Sequence, residues 1–390
     1  MDEYSNVFRI NKGAKTEKQP VKKIPDFSDK NKELGAHDFK VYSTDISDLD
    51  LRTAGDKINY IRFDTNTIFP SADKMPDDFD PTKIIEENKN PGLGIRDLHK
   101  RGITGKGITV AIIDQSLNTR HVEIKNSIIH YESIGYPENA SADFHGTAVS
   151  SLLAGETLGV APDAKIVYFA ANNLGPGYDG EKPFNNGTYD LYFANYADAL
   201  RKILLMNTKL PKDKQISAVS ISWGMLHVNE ECTKMINQLI ENGVMVLTTD
   251  SYMFYGDKGR FMTIDKKINS DADNIESYNS GFWRNNFEKV KNRLLVPAGG
   301  RTIAGYQDDA QYIYCGANGG MSWATPYMVG VYALAKQVMP NLTPQHFFDV
   351  ARQVGTSSDK LGDNIIIQPK NIVKCLQDEL YLQKQSVNNR

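Results

Sequence analysis

The chain has 390 residues, 40 % hydrophobic and 24 % charged, which excludes disorder throughout and leaves room for two or three domains, or one large α/β domain with an appendage. Its 45 Lys and Arg against 48 Asp and Glu leave a net charge of −3, too small a field to argue for nucleic acid or an anionic membrane as partner. No apolar run approaches the roughly 18 residues of a membrane span, and the N-terminal stretch lacks the apolar core of a secretory signal, so a cytoplasmic location is expected.

Residues 1–45 are rich in Lys, Asp, Glu, Asn and Pro and have hardly any apolar periodicity, the composition of a mobile polar arm. Residues 46–93 carry short apolar patches, Ile58–Tyr60–Ile61–Phe63 and Ile68–Phe69–Pro70, before the turn-rich stretch Pro76–Pro81. This reads as an extension or pro-segment whose patches need burial against something else, so residues 46–90 are expected to pack on the main domain. From residue 94 to 378 the texture changes to apolar runs alternating with helical patterns, as in βαβ units around a buried parallel sheet. The expected strands are Ile108–Ile113, Lys165–Ala170, Ala218–Ser222, Val244–Leu247, Leu294–Val296 and Tyr312–Cys315. Thr233 is expected to cap a helix ending near Gly243, and Thr343–Pro344 to open another. A polar tail, 379–390, closes the chain. Cys232, Cys315 and Cys375 are odd in number and far apart, and read as reduced thiols rather than a disulfide framework or zinc knuckle.

Three places in this pattern carry chemistry. The strand Ile108–Ile113 runs into Asp114, and open α/β sheets place their sites at the carboxyl ends of such strands. Asp143–Phe144–His145–Gly146–Thr147 opens a small-residue helix with His145 at its mouth, off the apolar stripe of Val149, Leu152 and Leu153. Gly319–Gly320–Met321–Ser322 leads into a helix apolar nearly all round, Tyr327 to Val338. Taken singly, these residues have ordinary explanations as a loop cap, a structural histidine and a helix N-cap. Together they supply a hydroxyl, a base to activate it and a carboxylate to hold the base's tautomer.

The order Asp, His, Ser and the flanking residues resemble the subtilisin-like serine peptidases, the subtilase family. The matching segments are Asp114–Gln115–Ser116–Leu117 with His121–Val122–Glu123–Ile124, His145–Gly146–Thr147 with Gly159–Val160–Ala161–Pro162, and Gly320–Met321–Ser322–Trp323–Ala324–Thr325–Pro326. The resemblance spans roughly residues 94–378 and implies a three-layer α/β fold with a mostly parallel sheet, preceded here by the N-terminal extension. It implies Ser322 as nucleophile, His145 as general base and then acid, and Asp114 as the group that orients His145. Ser220–Ile221–Ser222–Trp223–Gly224 resembles the family's substrate-pairing strand, so Ser222, Trp223 and Gly224 are substrate-binding candidates. Trp223 fits a core position equally well.

The sequence departs from the family at Gln115, Ser116, Ala148 and Met321, and more seriously at the oxyanion site. The asparagine that supplies a side-chain amide there is missing after Val244–Leu247. An ungapped match puts Tyr252 at its place and a two-residue deletion puts Asp250 there, while Asn285 or Asn286 of the insertion 252–292 is a third source. The acids Asp73–Asp80 and Asp271–Asp273 lack the EF-hand spacing and read as solvated loop charge. The link Gly155–Gly159 is too short for the family's calcium loop. Neither metal nor cofactor is expected. The function implied is a serine endopeptidase acting on peptide or protein substrates. The competing reading is a pseudoprotease that retains the peptide-binding cleft for recognition or regulation, and a non-peptidase α/β enzyme is the remote one.

Overall fold

The computed structural model describes residues 40–388 apart from 55–57, 59–60, 138–139, 172–185, 281–290, 317–318 and 358–360, together with residues 7–10, 14, 16 and 22–23. Tyr60 of the first apolar patch and the candidates Asn285 and Asn286 lie outside the described residues.

Five parallel strands form the central sheet: β1 (Thr109–Asp114), β2 (Ile128–Ile134), β3 (Lys165–Ala171), β4 (Ile216–Ile221) and β5 (Met245–Thr248), in the order β2-β3-β1-β4-β5. β1 shows why a nearly continuous apolar run was its sequence signature. Val110 and Ile112 face one core while Ala111 and Ile113 face the other, so both faces of the strand are covered. The first core holds helices α1 (Phe144–Ala154) and α4 (Met321–Val338); the second holds α2 (Asn186–Lys209) and α3 (Glu230–Glu241). The result is the expected three-layer α/β arrangement. The strand Ile128–Ile134 was not expected, because His130, Glu132 and Ser133 interrupt its apolar run. His130 Nδ1 accepts from the Arg9 amide at 3.1 Å, and Glu132 pairs with Lys202 at 2.7 Å.

Beyond the central sheet, β6 (Phe261–Lys266) and β7 (Leu294–Pro297) run parallel in a second, mixed sheet. An antiparallel hairpin, β8 (Arg301–Ala304) and β9 (Tyr312–Cys315), leads to α4. Helix α3 begins earlier than expected: Asn229, not Thr233, is its cap, accepting from the Cys232 amide at 3.0 Å. Glu230 and Glu231 then occupy the first turn, where a carboxylate favours the positive end of the helix dipole. Helix α5 (Pro344–Gln353) opens on Thr343, as read, with its hydroxyl accepting from the His346 amide at 3.2 Å. The last helix, α6 (Pro369–Asn388), runs on through most of the tail, leaving Tyr381 and Leu382 exposed. The three cysteines are free.

The extension packs on the main domain. Its strand Arg62–Asp64 adds antiparallel to β9, and Ile46, Leu51, Ile61, Phe63, Met75, Phe79, Ile84 and Ile85 enclose a core shared with Tyr314 of that strand. Asp64, 2 % exposed, accepts from the Ser43 hydroxyl, just ahead of the extension, at 2.9 Å and from Gln311 of the main domain at 2.8 Å. The packed region starts ahead of residue 46, since Val41, Ser43 and Thr44 are buried as well. The acids read as loop charge have structural partners. Asp80 caps helix Pro81–Glu87, and Asp273 accepts from the Gly94 amide at 2.7 Å.

Candidate active site

Asp114 ends β1, buried, where the strand meets its loop, and its Oδ1 accepts from the Gln115 amide at 2.8 Å. His145 lies in the first turn of α1, its Nδ1 2.7 Å from the same Oδ1. That contact directs Nε2 away from the carboxylate and fixes Nδ1 as the protonated nitrogen. Burial alone depresses the imidazole's basicity, but the charge of Asp114, its hydrogen bond and the charge of Asp143 outweigh it, and the net shift is upward. The close fit of α1 against the Asp114 loop explains Gly146. A Cβ there would lie 2.4 Å from the Gln115 carbonyl oxygen and 2.3 Å from the Tyr168 hydroxyl.

Ser322 stands half-buried in the first turn of α4, whose N-cap is Gly320. The next residue, Trp323, stacks on His145 with ring centroids 5.4 Å apart, so α4 and α1 bring nucleophile and base candidates to one place. The Ser322 hydroxyl donates to the Ser222 carbonyl at 3.2 Å rather than to His145, and the Ser222 hydroxyl donates back to the Ser322 carbonyl at 2.9 Å. Ser222 therefore abuts the nucleophile candidate directly. Trp223 is half-buried with its ring 5.7 Å from that of Tyr192 on α2, and its carbonyl accepts from the Thr249 amide at 3.1 Å. Gly224 is close to the Asp250 side chain: a Cβ on it would lie 3.5 Å from Oδ2.

Asp250 sits just beyond β5, with two hydrogen-bond donors and an imidazole against its carboxylate. Its Oδ1 accepts from the Thr248 hydroxyl at 2.7 Å, its Oδ2 accepts from the Met225 amide at 2.9 Å, and His227 Nδ1 lies 2.7 Å from Oδ2. Tyr252 is exposed, with the Arg260 guanidinium 5.0 Å from its ring centroid. Thus the described contacts join Asp114 to His145, His145 to Trp323, and Ser322 to Ser222, and they join Asp250 to the strand end at Gly224–Met225. They do not connect Tyr252 with Ser322. Two residues near the site escaped the sequence reading: Trp323, which has the look of a helix core residue, and Asp265 of β6, whose partners are 34 and 54 residues further on. Among the described residues, no cluster of three or more His, Cys, Asp or Glu side chains could hold a metal ion, and no helix is long and apolar enough to cross a membrane.

An α/β sheet with Asp, His and Ser at its strand and helix ends, in that chain order, defines a class of serine hydrolases. The model of the subtilase family, peptidase family S8, matches residues 105–366, more than half of the chain, and the chain belongs to that family. It is 23 % identical over 291 residues to the major intracellular serine protease of Bacillus subtilis, covering 72 % of this chain and 81 % of the relative. Against the minor extracellular protease Vpr of the same organism it is 33 % identical over 109 residues, 24 % of this chain and 13 % of that much longer protein. Among solved structures, the subtilase cytotoxin SubAB assembly contains a chain with a TM-score of 0.51 at 14 % identity, covering 75 % of this chain and 97 % of that one. A chain of the periplasmic assembly of the ESX-5 inner membrane complex gives 0.53 at 12 % identity, covering 76 % and 85 %. These structural likenesses speak for the fold.

Proposed function

We propose that the chain is a serine endopeptidase that cleaves peptide or protein substrates through an acyl-enzyme. The observation that carries this reading is the 2.7 Å contact between His145 Nδ1 and Asp114 Oδ1, beside a helix whose first turn holds Ser322. In this mechanism Asp114 holds the imidazole with Nε2 free, and Ser322 Oγ swings from the Ser222 carbonyl to Nε2. Its proton passes to Nε2 as Oγ bonds the scissile carbonyl carbon. The imidazolium, stabilised by Asp114, then gives that proton to the leaving amine, and water repeats the sequence to release the acid. The extended strand end Ser222–Trp223–Gly224 pairs with the substrate main chain, and residues 94–378 form the catalytic unit with 46–93 as a packed extension.

Negative charge develops on the carbonyl oxygen, and the Ser322 amide at the start of α4 is one donor for it. The Asp250 oxygens are engaged as acceptors by the Thr248 hydroxyl and the Met225 amide, and turning one of them to the oxyanion would break such a contact. We therefore assign it to holding the strand end at Met225. The Tyr252 hydroxyl stays a candidate only through a movement that releases its ring from Arg260. The name of the intracellular relative supports a cytoplasmic location.

A second reading, a pseudoprotease using the same surface for recognition, is favoured by the missing asparagine and by the Ser322 hydroxyl being engaged with Ser222. A fluorophosphonate probe separates the two. Peptidase chemistry requires labelling of Ser322 at neutral pH that disappears in His145→Ala; a folded wild-type chain that does not label is a pseudoprotease.

A further inference from the structure

A second buried carboxylate, outside the triad, touches the segment that delivers the nucleophile. Asp265 lies near the end of β6 and is 3 % exposed. Its Oδ1 accepts from the Gly299 amide at 2.5 Å and its Oδ2 from the Gly319 amide at 3.1 Å. Gly299 belongs to the turn leaving β7; Gly319 stands three residues ahead of Ser322. The two backbones press together there. A Cβ on Gly319 would lie 2.1 Å from the Gly299 nitrogen and 2.4 Å from the Ala298 carbonyl carbon, so neither segment can accommodate a side chain between them. Such close approach sets two N–H dipoles side by side, and the carboxylate accepts from both. Hydrogen bonds to an ionised acceptor are roughly twice as strong as neutral ones, and burial keeps water from competing.

The path from this clamp to the chemistry is short. Gly320 follows as the N-cap of α4, its carbonyl accepting from the Trp323 amide at 2.9 Å, and Ser322 lies inside that turn. Any drift of Gly319 is passed through only Gly320 and Met321 to both the Ser322 amide and its Oγ. We propose that Asp265 is a positioning residue for Ser322: by clamping Gly299 and Gly319 it fixes where the nucleophile and its amide stand relative to the scissile carbonyl. It acts through the backbone that carries Ser322, not on the reacting atoms. The proposal rests on Ser322 being the nucleophile.

The test uses the full chain carrying Asp265→Ala or Asp265→Asn, assayed for probe inactivation rate, for kcat and KM on one peptide, and for thermal unfolding. A misplacement of about 1 Å can cost on the order of 100-fold, so Asp265→Ala is expected to lower kcat and the inactivation rate by about 10–100-fold. KM should stay within about threefold, because the strand end Ser222–Gly224 is untouched. Asp265→Asn, which keeps one acceptor oxygen, should fall between Ala and wild type, and the acid limb of the pH profile should not move in either variant. A variant that melts earlier but keeps wild-type kcat while folded overturns the proposal and leaves Asp265 a stability residue. Should Asp265→Ala not fold, Asp265→Asn decides in the same way: reduced kcat at unchanged KM supports the role and wild-type kcat overturns it. If the wild type itself does not label, the nucleophile assignment fails and this role with it, a result seen before any variant is made.

Discussion

On one side of the site, His145 is held by a buried carboxylate that has a second donor, by a glycine pressed against the loop beneath it and by an aromatic stack. On the other side, Ser322 is engaged by the Ser222 carbonyl, Asp250 accepts from Thr248 and Met225, and the sequence has no asparagine after β5 where the family has one. Under the proposed mechanism the base side is assembled as the chemistry needs it, whereas the nucleophile and oxyanion side must change a contact before reaction, so that turnover depends on the less determined half.

The strongest way to break this comparison is to remove the nucleophile or the base. Ser322→Ala is expected to abolish probe labelling and to reduce peptide hydrolysis by roughly 10⁶-fold, with His145→Ala close behind because the two act as a unit. Labelling that survives in His145→Ala would show that another base serves. Asp114→Asn comes next, with a fall in kcat of roughly 10⁴-fold through loss of the favoured tautomer. It also has a pH signature. Asp114 raises the His145 pKa against the opposing effect of burial, and activity rises with pH as the imidazole loses its proton. Without that carboxylate, burial dominates and the acid limb should move to lower pH; an unmoved limb would mean that Asp114 does not set this titration.

Smaller effects are expected across the site. Tyr252→Phe should cost less than about tenfold in turnover if its hydroxyl stays outside the oxyanion site, and a larger loss would make it the missing donor. With Asp250 held as an acceptor at Met225, Asp250→Asn should cost less than about tenfold in turnover. A larger loss would place Asp250 in the oxyanion site and overturn our assignment. The least effect on chemistry and the largest on stability belongs to the extension. Phe63 is fully buried, with its ring edge-on to Phe69 at 5.1 Å, and Phe63→Ala should cost about 3–5 kcal/mol and open residues 46–90 to limited proteolysis. A Phe63→Ala chain with an unchanged protease pattern would show that these residues do not depend on that core.

What the sequence discloses follows the range of the interactions concerned. The strand before Asp114 is legible because its burial on both faces forces an apolar run, and the starts of α1 and α4 because His145 and Ser322 stand beside small residues that open a helix. The start of helix α5 is legible from Thr343–Pro344, a signal two residues long. Asn229 was missed as the cap of α3 because Asn229 and Thr233 are both good caps, and only the chain's entry at Leu226–Val228 selects between them. Asp265 was illegible for a different reason. A lone acid in an apolar strand suggests nothing until Gly299 and Gly319 are brought to it by folding. The contact of Ser322 with Ser222 spans 100 residues and is equally silent in the sequence.

The strand Arg62–Asp64 covers the free side of β9, leaving β9 between it and β8. A chain cleaved ahead of residue 66 would bare a row of main-chain donors and acceptors on β9, together with the apolar ring of Tyr314. An uncovered strand edge is a template for pairing with another molecule. The extension thus bears on solubility as well as on fold: trimming it would expose the hairpin that leads into the helix of Ser322, and the trimmed molecules would tend to stick to one another through it.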